Sequence, residues 1–292
     1  VEALRERSQM KRVPQWDLLF AGLIRTKIAE RSPWSEIATE VVTADSPARF
    51  FSHDQMNPGF AASEASRVFL GISIECAECH DHPFASWKQR HYQEFAAFFD
   101  QAFVFPDTPQ KRLEEAPEKS LVDVTPRFFL DDFSVDIAAE DRIRRKALAA
   151  RIVAKENKWF ARAFVNRICG ELLGQGFYDL PDDIGPDRTC LAPQTLEALA
   201  DDFAASNYDI RRLFEILLST ETYRLQARSY GDESFRPFAC NRIQPLRSDQ
   251  FVETLLRALG KYLPPDFDEK TFDEEGRQWG PTPREQVREV FG

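Results

Sequence analysis

The chain has no excess of basic residues. It has 38 Lys and Arg against 48 Asp and Glu, which gives a formal net charge of −10. A surface that binds phosphate backbones needs clustered Lys and Arg. The short basic run at residues 142–146 is better explained as the solvated face of a helix. The charge balance therefore excludes nucleic acid as an expected partner.

Long apolar runs are also missing from the sequence. No stretch approaches the roughly 20 consecutive apolar residues that a transmembrane helix requires, so we expect no membrane span in this chain. Residues 1–12 are charged and lack the pattern of a signal peptide. The chain begins at Val1 rather than Met, and we therefore expect the natural N-terminus to lie upstream.

Cysteine is scarce and its count is odd. Two of the five cysteines, Cys76 and Cys79, belong to one motif, which leaves Cys169, Cys190 and Cys240. Three cysteines cannot form a complete disulfide framework. One pair could close, and Cys169 with Cys190 is the nearest in sequence, but the pattern favours separate buried thiols.

Apolar residues recur at helical spacing through most of the chain and predict a mainly α fold. Helices are predicted at residues 16–29, 33–42, 63–72, 88–99, 137–156, 159–173, 194–206, 209–220 and 248–259. Residues 101–135 differ, because prolines interrupt them and the runs at 121–124 and 128–130 indicate short strands. We predict a helical module over residues 1–100, a short β-containing connector or insertion over 101–135, and a C-terminal helical domain over 136–292.

Residues 76–80 read Cys-Ala-Glu-Cys-His, the spacing of c-type haem attachment. Two thiols three residues apart reach the two vinyl groups of one porphyrin, and the next side chain, His80, ligates the iron as proximal ligand. We predict covalent haem c on Cys76, Cys79 and His80, which makes residues 1–100 a haem-bearing, cytochrome-like module. Two alternatives stay open, namely zinc held by Cys76, Cys79 and His80 or His82, and a redox disulfide.

Other side chains near the motif are candidates for supporting roles. Met56 and His53 precede it in a loop, and either is a possible distal iron ligand; an open or water-ligated position is the third option. His82 is badly placed to reach the opposite haem face, so we predict that it donates a hydrogen bond or stacks near Trp87. His91 falls on a predicted helix and is interpreted as structural.

Carboxylates crowd into one later loop, where Asp182 and Asp183 have Asp179 and Asp187 nearby. Such a group can bind calcium or act as acid and base. The pattern favours turn formation and salt bridges to Arg162 or Arg167. The sequence contains no G-x-S-x-G elbow, phosphate loop or dinucleotide fingerprint.

The motif and its flanks resemble a known family. The matching residues are Leu70-Gly71, Cys76 to Phe84 (Cys-Ala-Glu-Cys-His-Asp-His-Pro-Phe), Trp87, Tyr92 and Ala96-Ala-Phe-Phe99. They are similar to the C-terminal part of the cytochrome-like domain of large exported proteins in Planctomycetes and related bacteria, domain of unknown function 1549. The resemblance implies that the motif binds haem and that the protein is exported to the periplasm or beyond.

A second block resembles the usual partner of that domain, domain of unknown function 1553. The matching residues are Ala161 to Ile168, Gly174-Gln-Gly176, Pro181 to Gly185, Leu196, Leu199, Ala200, Phe203, Tyr208, Asp209, Leu213 and Tyr223. Cys169 stands where the family usually has an aromatic residue, and Cys190 and Cys240 also depart from the pattern. Family members often carry another cytochrome domain upstream and a longer C-terminal part, so we expect a fragment or a shortened member.

Together these observations predict an exported protein that performs one-electron transfer with a single c-type haem. Its electron partner would be a redox protein or a small-molecule donor or acceptor, and it would serve a linked extracytoplasmic oxidoreductase. Two rivals remain. The first is a structural or binding protein stabilised by zinc or another metal. The second is an exported enzyme of unknown reaction that uses the haem or the Asp182–Asp183 loop, so the sequence leaves open whether the chain is an enzyme.

Overall fold

The computed structural model describes residues 14–43, 58–99, 121, 123–227, 236–246 and 248–258. The fold is mainly α-helical, as predicted. Residues 1–242 form one compact unit, and residues 243–292 form a second. Within the described ranges, no helix has both the length and the apolar character needed to cross a membrane.

The first unit contains nine of the described α-helices. They are α1 (Pro14–Ala29), α2 (Trp34–Thr43), α3 (Pro58–Ala65), α4 (Gln89–Ala96), α5 (Asp141–Ile152), α6 (Lys158–Leu173), α7 (Pro193–Ala205), α8 (Ile210–Ser219) and α9 (Glu221–Arg224). A π-helical turn (Ser66–Leu70) continues α3, and a 3₁₀ turn (Glu75–Ala77) follows it. The second unit contributes α10 (Ser248–Ala258).

Local sequence signals explain where several helices begin and end. Asn157 accepts a hydrogen bond from the Trp159 amide at the start of α6, and Asp209 accepts one from the Arg212 amide at the start of α8. Gly174 ends α6 in the left-handed conformation, with φ at 69°. These are the short polar caps and the C-terminal glycine that helix ends favour.

The helix before the motif differs from the prediction at its start. It was expected to begin at Ser63, but α3 begins at Pro58 and Ser63 is buried within it. Proline suits the first helical position because its missing N–H would have no intrahelical partner there. The π-helical turn then ends at Gly71, whose φ is 66°.

The predicted strands of the connector are not formed in its described part. Leu121 and residues 123–135 are irregular, apart from one antiparallel bridge between Arg127 and Ser134. Phe128 is buried, and its ring centroid lies 6.0 Å from that of Phe95 on α4. The apolar triplet at 128–130 was therefore misread as a strand, because it packs against the helical core instead of pairing along a sheet.

The core of the first unit places the motif segment at the surface. Helix α2, which buries Ile37 and Val41, packs on α5, and α6 packs on both α7 and the π-helical turn. Ile72 and Ile74 are buried in the same core. Glu75 and Cys76, which follow Ile74, are exposed.

Candidate functional site

The two motif thiols lie on the surface beside a buried anchor. Ala77 is fully buried, and its amide donates to the Ile74 carbonyl over 2.9 Å. Cys76, Cys79 and His80 are exposed, and neither cysteine is in a disulfide. The reactive groups are therefore accessible on a turn whose backbone is fixed to the core.

Helix α4 holds the second half of this turn. The side-chain amide of Gln89 donates to the carbonyls of Glu78 (3.1 Å) and Cys79 (3.0 Å). In return, the Asp81 carboxylate accepts the Gln89 backbone N–H at 3.0 Å and pairs with Lys88 at 3.1 Å. The hydrogen bond from Gln89 and then the Lys88 contact lower the pKa of Asp81. The motif turn and the start of α4 are thus joined in both directions.

The hydrogen bond at His80 fixes its neutral tautomer. Its Nδ1 lies 2.7 Å from the Asp81 carbonyl oxygen. A carbonyl oxygen only accepts hydrogen bonds, so Nδ1 must carry the proton. The Nε2 atom is then the unprotonated nitrogen, and this is the arrangement in which imidazole ligates a metal.

The other two described histidines have the opposite arrangement. Nδ1 of His82 accepts the Phe84 amide at 3.1 Å, and Nδ1 of His91 accepts the Lys88 amide at 3.2 Å. Each neutral ring therefore carries its proton on Nε2. Burial lowers the pKa of His91, and its ring lies 6.5 Å from Trp87 in an edge-on contact. These contacts support the predicted structural role of His91. His82 differs from His80 because its Nδ1 accepts a hydrogen bond, whereas Nδ1 of His80 donates one.

The loop after the motif is tied to the later loop that carries Asp179, Asp182, Asp183 and Asp187, called the Asp loop below. His82 donates its amide to the Trp87 carbonyl at 2.8 Å, so the two residues meet through the backbone. Ser86 donates its amide and its hydroxyl to Asp187, at 2.8 and 3.0 Å. Trp87 is buried against Phe129, whereas Phe84 is 81% exposed. The loop is anchored at both ends and presents an apolar ring to solvent.

The motif turn presents the groups that covalent haem attachment uses. Two free, exposed thiols and an imidazole with Nε2 available stand on one turn, as surface haem attachment requires. Within the described ranges, no three His, Cys, Asp or Glu side chains lie close enough together to hold a metal ion. The possible distal ligands Met56 and His53 lie outside the described residues.

Asp182 lies in a largely buried ion cluster. Its carboxylate contacts Arg167 at 2.5 Å and Arg67 at 2.9 Å, and Arg67 also pairs with Glu64 at 2.5 Å. Burial opposes ionisation of Asp182, but the two guanidinium groups outweigh it and lower its pKa. Burial also raises the pKa of Glu64, against the effect of Arg67. Both oxygens of Asp182 are occupied by structural partners.

The cluster docks the Asp loop onto the π-helical turn. Arg167 donates to the carbonyls of Val68 (3.0 Å) and Arg67 (3.2 Å), and the Ile184 amide donates to the Gly71 carbonyl at 2.8 Å. The predicted pairing of this loop with Arg167 is thereby confirmed. Arg162, the other partner that the sequence allowed, binds Glu197 at 2.6 Å.

The remaining loop carboxylates do not converge. Asp183 pairs with Arg188 at 2.6 Å, Asp187 accepts from Ser86, and Asp179 is exposed. The three other cysteines are all free; Cys169 and Cys240 are buried and Cys190 is half-buried. The Cys169–Cys190 disulfide is therefore not formed, and the expectation of separate buried thiols holds for Cys169 and Cys240, whereas Cys190 is a separate thiol that is only half-buried. Burial raises the pKa of Cys169 to about 12, which makes it a poor nucleophile.

Two family models match the chain. PSCyt2, a protein of unknown function (DUF1549), matches residues 7–103, and PSD1, a protein of unknown function (DUF1553), matches residues 144–279. The chain carries both domains, in this order. The PSCyt2 segment contains the Cys-x-x-Cys-His motif and Gln89, and the PSD1 segment contains the Asp loop. No curated protein and no solved structure matches the chain.

The contacts of Gln89, Arg67 and Glu64 could not be predicted from the sequence. Gln89 lies ten residues from Cys79, and nothing in its own neighbourhood predicts its two carbonyl contacts. Arg67 and Asp182 are 115 residues apart, and Glu64 looks like any helical glutamate. The contact between Arg67 and Asp182 joins the PSCyt2 segment to the PSD1 segment.

Proposed function

We propose that this chain is an exported c-type haem protein whose function is one-electron transfer. One observation carries the proposal: two free, exposed thiols stand on the same turn as an exposed imidazole whose Nδ1 is bonded to a carbonyl oxygen, so that Nε2 is the ligating nitrogen of the neutral ring. The match to PSCyt2 covers residues 7–103, so the motif lies within a recognised domain, and we propose that this domain is the haem-bearing module. The PSD1 segment would be an interaction or substrate module.

Cys76 and Cys79 would hold the haem covalently, and His80 would be its proximal ligand. Each thiol would add its S–H across one vinyl group, with sulfur bonding to the carbon next to the ring and hydrogen to the terminal carbon. This addition is balanced without an added oxidant or reductant. When bound, the haem iron supplies one-electron chemistry between its ferric and ferrous states. Met56, His53 or water would fill the sixth position.

Covalent haem attachment also suggests where the protein works and what it reacts with. A covalent tether retains a cofactor outside the cell, where a lost haem could not readily be replaced. The electron partner would be a redox protein or a small-molecule donor or acceptor in the periplasm or outside the cell. Through it the chain would serve a linked extracytoplasmic oxidoreductase.

The test is to make the full chain in an oxidising compartment that contains haem-attachment machinery, beside a Cys76→Ser, Cys79→Ser double variant. The parent should keep its haem through a denaturing gel, and the double variant should lose it. Iron and zinc are measured in both proteins. A colourless parent with one zinc per chain, lost in the double variant, would overturn the proposal in favour of a metal-stabilised structural protein.

A further inference from the structure

We infer that Gln89 is a positioning residue for haem attachment, through its hold on the backbone of Cys79. The inference rests on the proposed function and adds a residue outside the Cys-x-x-Cys-His motif. Its basis is the pair of hydrogen bonds from the Gln89 amide to the carbonyls of Glu78 and Cys79, at 3.1 and 3.0 Å. These carbonyls belong to the Glu78–Cys79 and Cys79–His80 peptide units, the last two of the three that lead from the buried anchor Ala77 to His80.

The two halves of the motif are held by different parts of the protein. Cys76 lies within the 3₁₀ turn, which the buried Ala77 fixes to the core through the Ile74 carbonyl. Cys79 and His80 follow that turn, at exposed positions. For them, Gln89 provides a link to a packed helix, since α4 buries Tyr92, Phe95 and Ala96. Loss of this link should therefore affect Cys79 and His80 more than Cys76.

Both reactive groups depend on the orientation of this backbone. Cys79 must meet its vinyl group while Cys76 meets the other, and His80 must lie beneath the iron at the same time. A residue that fixes the backbone between them removes conformations in which only one thioether can form. Gln89 suits this role because its two N–H donors are available to two neighbouring carbonyls at once.

A simple role in helix stability makes a different prediction. Gln89 is the first residue of α4, a position where a carboxylate interacts favourably with the helix N-terminus. Gln89→Glu keeps the shape of the side chain, but an ionised carboxylate has no donor and repels the two carbonyl oxygens. If Gln89 only stabilises α4, this variant should be neutral or favourable. If it positions the turn, the variant should impair attachment.

The experiment compares the full-length parent with Gln89→Glu, Gln89→Ala and the matched control Gln93→Ala, all made with attachment machinery. Gln93 lies on the same helix, and its replacement leaves both Gln89 hydrogen bonds in place. The readouts are the pyridine haemochrome band, which distinguishes one thioether from two, and mass mapping of the attached cysteine. Hydrogen exchange of residues 78–82 is measured in haem-free protein.

In both Gln89 variants we expect a shift toward haem attached through Cys76 alone, with thermal stability of Gln89→Glu kept. Exchange over residues 78–82 should rise by roughly fivefold to tenfold, as expected for losing two modest exposed hydrogen bonds. The parent and Gln93→Ala should carry two thioethers. A haem-loaded Gln89→Glu with two thioethers and unchanged exchange would overturn the role of Gln89 alone. A colourless parent would overturn the proposed function and this role with it.

Discussion

The Asp182 cluster and the motif turn are both built from polar side chains, but they leave different groups accessible. In the cluster, the Arg67 side chain is 3% exposed, and the two oxygens of Asp182 are occupied by Arg67 and Arg167. In the turn, Gln89 satisfies the backbone carbonyls, while both thiols and the His80 ring stay exposed. Occupied polar groups hold two distant segments together, whereas open reactive groups on a fixed turn are available for chemistry. The comparison assigns stability to the cluster and cofactor binding to the turn.

The largest expected effect on the turn comes from His80→Ala. It removes the nitrogen that the hydrogen bond to Asp81 leaves free for ligation, so the low-spin haem spectrum should be lost or maturation blocked. His82→Ala is the matched control, and it should give haem-loaded protein with at most a shifted reduction potential. Absorption spectra of the two purified variants check this. The reverse outcome would exchange the roles assigned to the two histidines.

The largest expected effect on the cluster comes from Arg67→Met. It leaves Glu64 buried without its bidentate partner, and breaking a buried pair typically costs about 3–5 kcal/mol of unfolding free energy. The control is Arg212→Met, which breaks an exposed pair with Asp202 and should cost no more than about 1 kcal/mol. Denaturant unfolding measures both. Equal losses of unfolding free energy in the two variants would show that the cluster contributes no more stability than an exposed ion pair. Loss of haem attachment in folded Arg67→Met would contradict the assignment of cofactor binding to the turn alone.

A somewhat smaller loss of unfolding free energy is expected from Gly71→Ala, at the junction of the π-helical turn and the Asp loop. An added Cβ would lie 2.8 Å from Ile184 and 3.1 Å from Ala163, at a φ of 66°. The left-handed backbone and the overpacking together should cost about 2–4 kcal/mol. Gly22→Ala has open space around its Cβ within α1, so it should stabilise the protein by about 0.5–1 kcal/mol. Thermal unfolding that ranks the two variants the other way would contradict this account of the junction.

The smallest expected effect is a change in acid sensitivity from Asp182→Asn. The folded-state pKa of Asp182 lies below its ordinary value of 3.8. Its contribution to stability is therefore fully present above that value and is lost as the pH falls through the lower folded-state pKa. The stability difference between parent and variant should shrink below about pH 4. Denaturant unfolding at several pH values tests this, with Asp202→Asn as the exposed control. A difference that stays constant down to the acid transition would argue that the charge of Asp182 is not what matters.

The helices were largely predictable, because the signals that form them are local. Asp209 and Gly174 mark helix ends at the expected places, and apolar spacing marks the buried faces. The π-helical turn was not predicted, since one wider turn hardly changes the apolar pattern. The strand prediction at residues 128–130 failed because the position of Phe128 depends on its packing against Phe95, which is distant in sequence.

In the candidate site, too, the residues in the motif could be predicted from local spacing, whereas their contacts with distant residues could not. Cys76, Cys79 and His80 could be proposed from spacing alone, and so could the difference between His80 and His82. The hydrogen bonds that set the two tautomers, to the Asp81 carbonyl and from the Phe84 amide, depend on how the backbone turns. Gln89 and Arg67 contact groups that are far away in sequence, so periodicity and motif spacing contain no information about them.

A pyridine haemochrome spectrum of the full chain, made with haem-attachment machinery, tests the central claim most directly. We expect one haem per chain, the band position of two thioethers, and colour that remains with the polypeptide after denaturation. A spectrum without a haem band, or haem that acid and organic solvent extract completely, would contradict covalent attachment at Cys76 and Cys79. The electron-transfer function proposed here would then be withdrawn.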